Sequence, residues 1–277
     1  MCKIDIIIDN IHYTLWKTTK RAIVEKYNYA GAVVIPESVT YQGETYKVEE
    51  IRHDAFSGCK DLFIISIPSS IDSIGGEAFD GCDVQLYIES IEAWMNTYID
   101  FYIDYGDEMD KDPKHNLPFV ANALYIEGES VESLVIPDSI QEINEWQFIG
   151  WDFIKSFKIP DSVKSIGQGA FQECSGITEI NIPASVENIA WDTFYKCEGL
   201  RSVAIDGSVK KIGAYAFGGL KNLCDFYCFA EEVPQTSEKA FAETDISQYG
   251  TLYVPSGAID KYRNTVPWCY FKNIADI

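Results

Sequence analysis

The chain has 277 residues, with 43 acidic against 22 basic side chains and a formal net charge of −21. This balance argues against nucleic acids and anionic membranes as partners, because both are bound through lysine and arginine that neutralise phosphates. Hydrophobic residues make up 47% of the sequence, which argues against disorder and is enough for a sizeable core.

The first predicted element is a strand near the N-terminus. The apolar run Ile6–Ile8 lies between Asp5 and Asp9, which suits a short strand and not the core of a signal peptide. No part of the chain approaches the roughly 18–20 uninterrupted apolar residues of a membrane span. We therefore expect no transmembrane segment and no export signal in this sequence.

Further along the chain, the sequence repeats with a period of 23 residues. One marker is an Ile-Pro pair, which begins at Ile35, Ile67, Ile136, Ile159 and Ile182. A second marker is a phenylalanine, found at Phe56, Phe79, Phe148, Phe171, Phe194 and Phe217. Steps along the second series are 23 residues, except that from Phe79 to Phe148, which is 69, or three periods. A period in this range predicts a solenoid.

Each repeat has three parts. The segment ending in Ile-x-Ile-Pro alternates apolar and variable residues, which predicts a strand with one buried face, closed by a proline that cannot donate to a ladder. The Ser-Val-x-x-Ile-Gly segment predicts a second short extended piece. The Ala-Phe-x-x-Cys segment has a spacing suited to one or two helical turns.

The cysteine of the repeat is predicted to be a buried, structural thiol. Cys59, Cys82, Cys174 and Cys197 each follow the marker phenylalanine by three residues. Neighbouring rungs would bring their Cα atoms within disulfide range, but side chains that point the same way do not suit a disulfide. We therefore expect free thiols.

Residues 84–133 span the missing periods without the motif. We expect strands at Gln85–Ile88 and Leu124–Ile126, with an amphipathic helix from Ser90 to Ile103 between them. Asp104–Pro113 is predicted to be an acidic loop. A calcium site is the alternative, on Asp104, Asp107, Glu108, Asp110 and Asp112. The EF-hand register is absent, so a solvated loop is favoured.

These motifs resemble the BspA-type leucine-rich repeats of Bacteroides surface proteins and some protist proteins. The resemblance covers about 30–83 and 131–223. It implies an α/β fold, a right-handed leucine-rich-repeat solenoid of ~23-residue β/α repeats. We expect a single domain over 1–277, with an N-terminal cap (1–33), repeats (34–83 and 134–223), the helical insertion (84–133) and a C-terminal cap (224–277).

The resemblance implies a non-enzymatic binding or adhesion module, at the cell surface or secreted, without catalytic residues, cofactor or metal. The three histidines, His12, His53 and His115, share no metal-ligand spacing. His53 is expected to be exposed. A remote alternative is an enzyme or metal site in 84–133, lined by His115 and the acids.

Alternation along the strands predicts the residues that face away from the core on the concave sheet. These candidate ligand-binding residues are Ser66, Ser133, Val135, Ser156, Lys158, Glu179, Asn181, Ser202 and Ala204. They form small, mixed rows in which we expect neither an aromatic row nor a basic stripe. Such faces commonly bind proteins, and a plain solvated sheet is the alternative.

Two further expectations concern surfaces and assembly. Trp146, Trp191 and Tyr215 occupy variable positions beside the Ala-Phe pair and form either an exposed aromatic patch or a set of partly buried rings. We expect a monomer that binds a protein or cell-surface ligand. The rival interpretation is a structural spacer that assembles with itself.

Overall fold

A computed structural model describes residues 3–99 and 121–277. The chain divides into two compact units, Met1–Val131 (unit 1) and Glu132–Ile277 (unit 2). In both units, each strand of the repeat pairs with the equivalent strand of the neighbouring repeat. Each unit is therefore a β-solenoid with little helix.

Unit 1 contains twelve strands and one short helix within its described residues. The strands are β1 (Lys3–Ile8), β2 (Ile11–Trp16), β3 (Arg21–Val24), β4 (Gly31–Val34), β5 (Ser38–Tyr41), β6 (Glu44–Ile51), β7 (Leu62–Ile67), β8 (Ser73–Ile74), β9 (Val84–Ile88), β10 (Tyr98–Ile99), β11 (Ala121–Ile126) and β12 (Glu129–Ser130). The helix α1 is Ile91–Asn96.

Two sheets organise unit 1. The first has the order β1-β2-β3-β6-β8-β10, and β5 pairs with β6. Its strands β1, β2 and β3 are antiparallel, whereas β3, β6, β8 and β10 run parallel. The second sheet has the order β12-β11-β9-β7-β4 and is parallel except for β12.

Unit 2 continues the same plan with shorter strands. They are β13 (Ser133–Val135), β14 (Glu142–Ile143), β15 (Ser156–Lys158), β16 (Ser165–Ile166), β17 (Glu179–Ile182), β18 (Asn188–Ile189), β19 (Ser202–Ile205), β20 (Lys211–Ile212), β21 (Asp225–Cys228), β22 (Gln235–Thr236), β23 (Thr251–Val254) and β24 (Asn273–Asp276). The helix α2 is Ile259–Arg263, and 3-10 turns lie at Ser256–Ala258 and Trp268–Tyr270.

Parallel pairing builds the sheets of unit 2. One sheet has the order β17-β19-β21-β23-β24, and a second has the order β14-β16-β18-β20-β22. β13 and β15 form a further parallel pair. This first sheet and the β13–β15 pair together position eight of the nine candidate binding residues.

The Ala-Phe-x-x-Cys segments form successive hydrogen-bonded turns and not the helical turns that the spacing suggested. The amide of Phe148 donates to the carbonyl of Ala170 in the next repeat at 2.9 Å, and Phe171 donates to Thr193 at 3.0 Å. These amides therefore bond between rungs, whereas a helix would bond them within its own segment. Left-handed residues such as Glu173 (φ 60°) also interrupt any helix.

The marker phenylalanines stack into a column at the core of each unit. The rings of Phe171 and Phe194 are 5.2 Å apart with planes at 4°, and those of Phe56 and Phe79 are 4.9 Å apart at 5°. All four side chains are buried. The column explains the strict 23-residue spacing, since one missing ring would leave a gap between two others.

The cysteines of the repeat hydrogen-bond between rungs, and the described ones are free thiols, as expected. The thiol of Cys174 donates to the carbonyl of Phe148 at 3.0 Å, that of Cys197 to Phe171 at 2.9 Å, and that of Cys82 to Phe56 at 3.1 Å. Each thiol thus caps a turn carbonyl of the preceding repeat while filling core volume.

The glycine after the second strand is required by close approach of the preceding repeat. A Cβ on Gly167 would lie 2.5 Å from the backbone nitrogen of Glu145, and one on Gly75 would lie 2.3 Å from that of His53. Real Cβ atoms do not approach backbone this closely. At these two positions glycine is therefore required by packing between rungs, whereas other repeats carry arginine, asparagine or alanine there.

The predicted helix in the insertion is shorter than expected and ends at Asn96. Ser90 caps its start by accepting a hydrogen bond from the amide of Ala93 at 3.1 Å, as predicted. Thr97 takes an extended conformation, and the amide of Tyr98 donates to the carbonyl of Asp72 at 2.9 Å. Tyr98–Ile99 thus leaves the helix to pair with β8.

The expected strands of the insertion are present, and they extend the second sheet of unit 1 through β9 and β11. Three predicted features lie outside the described residues. They are the last part of the predicted helix (100–103), the predicted acidic loop Asp104–Pro113 and His115. Among the helices of residues 3–99 and 121–277, none combines the length and the apolar character needed to cross a membrane.

Candidate functional site

Two outward rows of side chains cross the strands of unit 2. Row A consists of Ser133 and Ser156, which pair with each other, and then Glu179, Ser202, Asp225, Thr251 and Asn273 on adjacent strands. Row B consists of Val135 and Lys158, which pair with each other, and then Asn181, Ala204, Tyr227, Tyr253 and Ala275. These rows hold eight of the nine candidate residues, with Val135 60% exposed.

The ninth candidate, Ser66, belongs to unit 1. There it pairs with Val34 on one side and Tyr87 on the other, in a row that continues to Tyr125 and Ser130. We call this the unit 1 row.

Row B contains a tyrosine stack that the sequence reasoning missed. The rings of Tyr227 and Tyr253 lie 4.6 Å apart with planes at 10°. Both side chains are half-buried and point away from the core, since Phe226 and Leu252 between the rows fill the interior. The expectation of no aromatic row was therefore wrong. The alternation of Asp225–Cys228 and Thr251–Val254 carried the signal, but these residues were assigned to the cap.

The unit 1 row contains a matching stack. The rings of Tyr87 and Tyr125 lie 4.3 Å apart with planes at 4°. Small residues flank both stacks. Ser66 and Ser130 adjoin the unit 1 stack, and Ala204 and Ala275 adjoin the unit 2 stack. Because these neighbours are small, no long side chain on the adjoining strand covers the outer face of the terminal ring.

The two stacks differ in their electrostatic surroundings. The unit 2 stack lies beside the carboxylate of Asp225 and the hydroxyl of Thr251 in row A, and Glu179 lies two strands from Asp225 in the same row. Desolvation raises the pKa of Tyr253, and the nearby Asp225 carboxylate and Tyr227 raise it further. The equivalent positions beside the unit 1 stack hold Gln85 and Ala123 instead.

The predicted aromatic patch is not one continuous surface. Trp146 is buried, with 8% of its surface exposed, whereas Trp191 is 62% exposed. Tyr215 is half-buried and packs edge-on against Tyr195 at 5.7 Å. Each tryptophan ring packs directly over a glycine of the next repeat, Trp146 over Gly169 and Trp191 over Gly213. A Cβ on either glycine would overlap the ring.

A small group of potential metal ligands lies in unit 1, although the sequence predicted no metal site. His53, Asp54 and Glu77 each place one ligand atom within 4.8 Å of the others. His53 is exposed, as expected, and its Nε2 lies 3.4 Å from the Asp54 carboxylate. Lys26 also contacts Asp54, at 4.0 Å. The group is thus a partly exposed cluster with its charge partly balanced by lysine.

Burial protects the cysteines of the repeat motif from ionisation. Burial raises the pKa of Cys174 and Cys197 well above the usual thiol value, because ionisation inside the core would leave a charge without water. Burial also raises the pKa of Cys82, to about 11. Cys224 is exposed. The repeat cysteines are therefore structural and not nucleophilic groups.

Comparison with known proteins shows the family. The profile described as "BspA type Leucine rich repeat region" matches six copies, in residues 32–99 and 120–248. The chain therefore belongs to the BspA-type leucine-rich repeat family. Membership indicates a protein-interaction or surface module of a typically non-catalytic kind. No curated protein matches the chain.

Solved structures of bacterial leucine-rich repeat proteins are similar to this chain. One from Bacteroides ovatus is 18% identical with a TM-score of 0.58, covering 99% of this chain and 77% of that one. A leucine rich cell surface protein from Faecalibacterium prausnitzii is 19% identical (TM-score 0.39, covering 100% and 95%). The T. pallidum leucine rich repeat protein is 22% identical (TM-score 0.38, covering 82% and 83%). The first likeness supports the solenoid fold.

Proposed function

We propose that this chain is a non-enzymatic protein-binding module, and that rows A and B of unit 2 form its binding face. The observation that carries the proposal is the Tyr227–Tyr253 stack, which lies on the outward side of the sheet. Core packing does not require these rings, because Phe226 and Leu252 fill the interior. Tyrosines on a rigid sheet offer large contact area at small entropic cost, and tyrosine is enriched at protein interfaces.

The sheet itself suits a binding surface. Its strands β17, β19, β21, β23 and β24 are held in parallel register, so neighbouring row positions are fixed about 4.8 Å apart. A preformed surface loses little conformational entropy on binding. The family resemblance that motivated a binding or adhesion role also implied a right-handed solenoid and a surface location, and both are parts of this proposal.

Selection from a displayed random peptide library tests the proposal. We expect peptides that bind the chain and lose at least about fivefold in affinity, roughly 1 kcal/mol, when Tyr227 is changed to Ala. Charge introduced by Glu179→Arg or Asn181→Lys should also weaken them. Tyr87→Ala is the matched control, because it removes a stacked tyrosine from unit 1. Selected peptides that bind all four variants equally would rule out this face.

The second candidate function is a self-assembling spacer. It is favoured by β24, which pairs with β23 along one side and is the last strand of its sheet in the described residues. An unpaired strand edge is a template for association with another copy. Light scattering over a range of protein concentrations separates the two functions, since a spacer grows in mass with concentration and a monomeric binding module does not.

A further inference from the structure

A slot lies over Ala204, between two larger side chains of row B. Asn181 and Tyr227 occupy the strands on either side of Ala204. They stand two strand spacings apart, roughly 9–10 Å, and this distance admits one flat group stacked against the ring. Tyr253 covers the far face of the Tyr227 ring. The near face is turned toward Ala204, whose methyl group leaves it open.

The chemistry of this slot is set by its floor and its corners. Row A places Ser202 next to Ala204 on the same strand, so the floor consists of two small side chains. Glu179 and Asp225 lie on either side of Ser202, each diagonal to Ala204. Diagonal neighbours on a sheet are about 7–8 Å apart, within reach of a carboxylate that turns toward the slot. We call this arrangement the Ala204 slot.

The two carboxylates are available to a ligand. In the part of the chain that the structure describes, no lysine, arginine or histidine lies within ion-pair distance of Glu179 or Asp225. Lys158 is the basic residue of rows A and B. The slot therefore offers an aromatic face with two carboxylates that form no ion pair in the described residues, on a chain of net charge −21. The Asp225 carboxylate also accepts a hydrogen bond from the Tyr253 hydroxyl and keeps further acceptor capacity.

We propose that the Ala204 slot binds the guanidinium group of an arginine in a basic, extended segment of a partner protein. This deepens the binding function proposed above and rests on it. The planar guanidinium stacks on the Tyr227 ring while its N–H groups donate to the carboxylates of Asp225 and Glu179. The charge of the slot disfavours anionic partners, and an uncharged ligand would leave the two carboxylates without compensation.

The unit 1 row supplies a built-in comparison. Ser66 leaves an equivalent gap beside Tyr87, but the corner positions there hold Ala32 and Gln85, and Ile64 takes the place of Ser202 in the floor. Val34, which follows Ser66 in this row, is 66% exposed. A gap with a tyrosine wall and no row carboxylate should not select a guanidinium group.

Fluorescence anisotropy with a labelled peptide of alternating glycine and arginine tests the proposal directly. Matched peptides carry lysine, which keeps the charge, or citrulline, which keeps the shape and loses the charge. We expect the arginine peptide to bind at least about threefold more tightly than the lysine peptide, because a guanidinium stacks on tyrosine better than an ammonium. The citrulline peptide should bind at least about tenfold more weakly than the arginine peptide, since a charge-assisted bond is lost.

Two substitutions complete the test. Ala204→Leu fills the slot and should abolish the preference for arginine over lysine. Ser66→Leu fills the equivalent gap in unit 1 and should leave it unchanged. Asp225→Asn should reduce arginine binding without a change of shape. Thermal unfolding of each variant verifies that it is folded.

The outcomes separate this proposal from the binding function on which it rests. The proposal is overturned if the arginine and lysine peptides bind equally and Ala204→Leu does not change their binding. Net charge alone would then explain the attraction. An uncharged oligosaccharide that binds in the slot, without any arginine preference, would also overturn it. Library-selected peptides that lose binding in Ala204→Leu but contain no arginine would overturn the arginine assignment and keep the face. If no selected peptide changes its affinity when rows A and B are substituted, both the arginine slot and the proposed binding face are overturned.

Discussion

The two tyrosine stacks show how one interior supports two different surfaces. Unit 1 places Tyr87 and Tyr125 beside Gln85 and Ala123, whereas unit 2 places Tyr227 and Tyr253 beside the Asp225 carboxylate and Thr251. The buried columns beneath them follow the same motif and the same ring spacing. Binding specificity can therefore change at outward positions while the core stays constant, since alternate residues of a strand face opposite sides.

The largest expected effect tests whether the interiors of the two units are equivalent. Phe171→Ala and Phe56→Ala each remove a fully buried ring from a stack. Each substitution should lower the free energy of unfolding by about 3–5 kcal/mol, because it leaves a cavity between two rungs. Urea or thermal unfolding measures the change.

The control for this comparison is an outward ring. Tyr227→Ala removes a half-buried side chain and should lower the free energy of unfolding by much less, about 1 kcal/mol. An outward substitution as damaging as Phe171→Ala would mean that the tyrosine stack is part of the core and not a surface.

The next effect concerns the close approach of neighbouring rungs. Gly167→Ala would bring a Cβ within 2.5 Å of the Glu145 backbone, so one rung must shift. The free energy of unfolding should fall by about 1–3 kcal/mol. Gly257→Ala is the matched control, because nothing lies within 4 Å of its Cβ and its φ is not left-handed. Equal melting temperatures for the two variants would contradict this account of the Ile-Gly motif.

A third effect appears at alkaline pH and belongs to the buried thiols. Cys174 and Cys197 have raised pKa values in the folded chain, whereas a thiol in the unfolded chain ionises near pH 8.5. Their contribution to stability is intact below about pH 8.5 and is lost as the pH rises above it, at about 1.4 kcal/mol per pH unit for each thiol.

The measurement for the thiols is a difference between two proteins. The double variant Cys174→Ala with Cys197→Ala should lose stability less steeply than the parent between about pH 8.5 and 10. Tyrosines and lysines titrate in both proteins and cancel. Parallel slopes would show that these thiols ionise equally well in the folded chain.

The smallest effect concerns backbone strain in the turns. Lys196 has φ 56°, and glycine takes the equivalent position two repeats earlier (Gly150, φ 72°) and one repeat later (Gly219, φ 70°). Lys196→Gly should raise the free energy of unfolding by about 0.5–1 kcal/mol, since glycine adopts this conformation without steric cost. Gly219→Ala should lower the free energy of unfolding by a similar amount. A loss of stability in Lys196→Gly would show that the lysine contacts outweigh the strain.

The repeat made the interior predictable because one pattern recurs at many positions. Phe171 and Cys174 could each be compared with equivalents 23 residues away, so their burial and ladder geometry followed from the spacing. The close packing of Gly167 was not predicted, because asparagine and alanine stand 23 residues before and after it. The helix was predicted too long, because apolar spacing alone did not reveal that Tyr98–Ile99 would pair with β8. The local spacing of apolar residues contains no information about a neighbouring strand that can pair with the same residues.

The candidate face was only partly predictable. Alternation identified Asn181 and Ala204, but the last comparable repeat ended before Tyr227, and the step from Tyr227 to Tyr253 is 26 residues instead of 23. The structure supplies the register that a lengthened repeat hides. The division into caps, repeats and insertion within one domain remains a prediction of the sequence.

The most direct test of the binding face is a side-by-side titration of Tyr227→Ala and Tyr87→Ala with one library-selected peptide. Both variants remove one ring from a stacked pair of tyrosines, so they match in chemistry and differ in location. We predict at least about fivefold weaker binding for Tyr227→Ala and unchanged binding for Tyr87→Ala. Equal losses, or a loss confined to Tyr87→Ala, would contradict the assignment of binding to rows A and B.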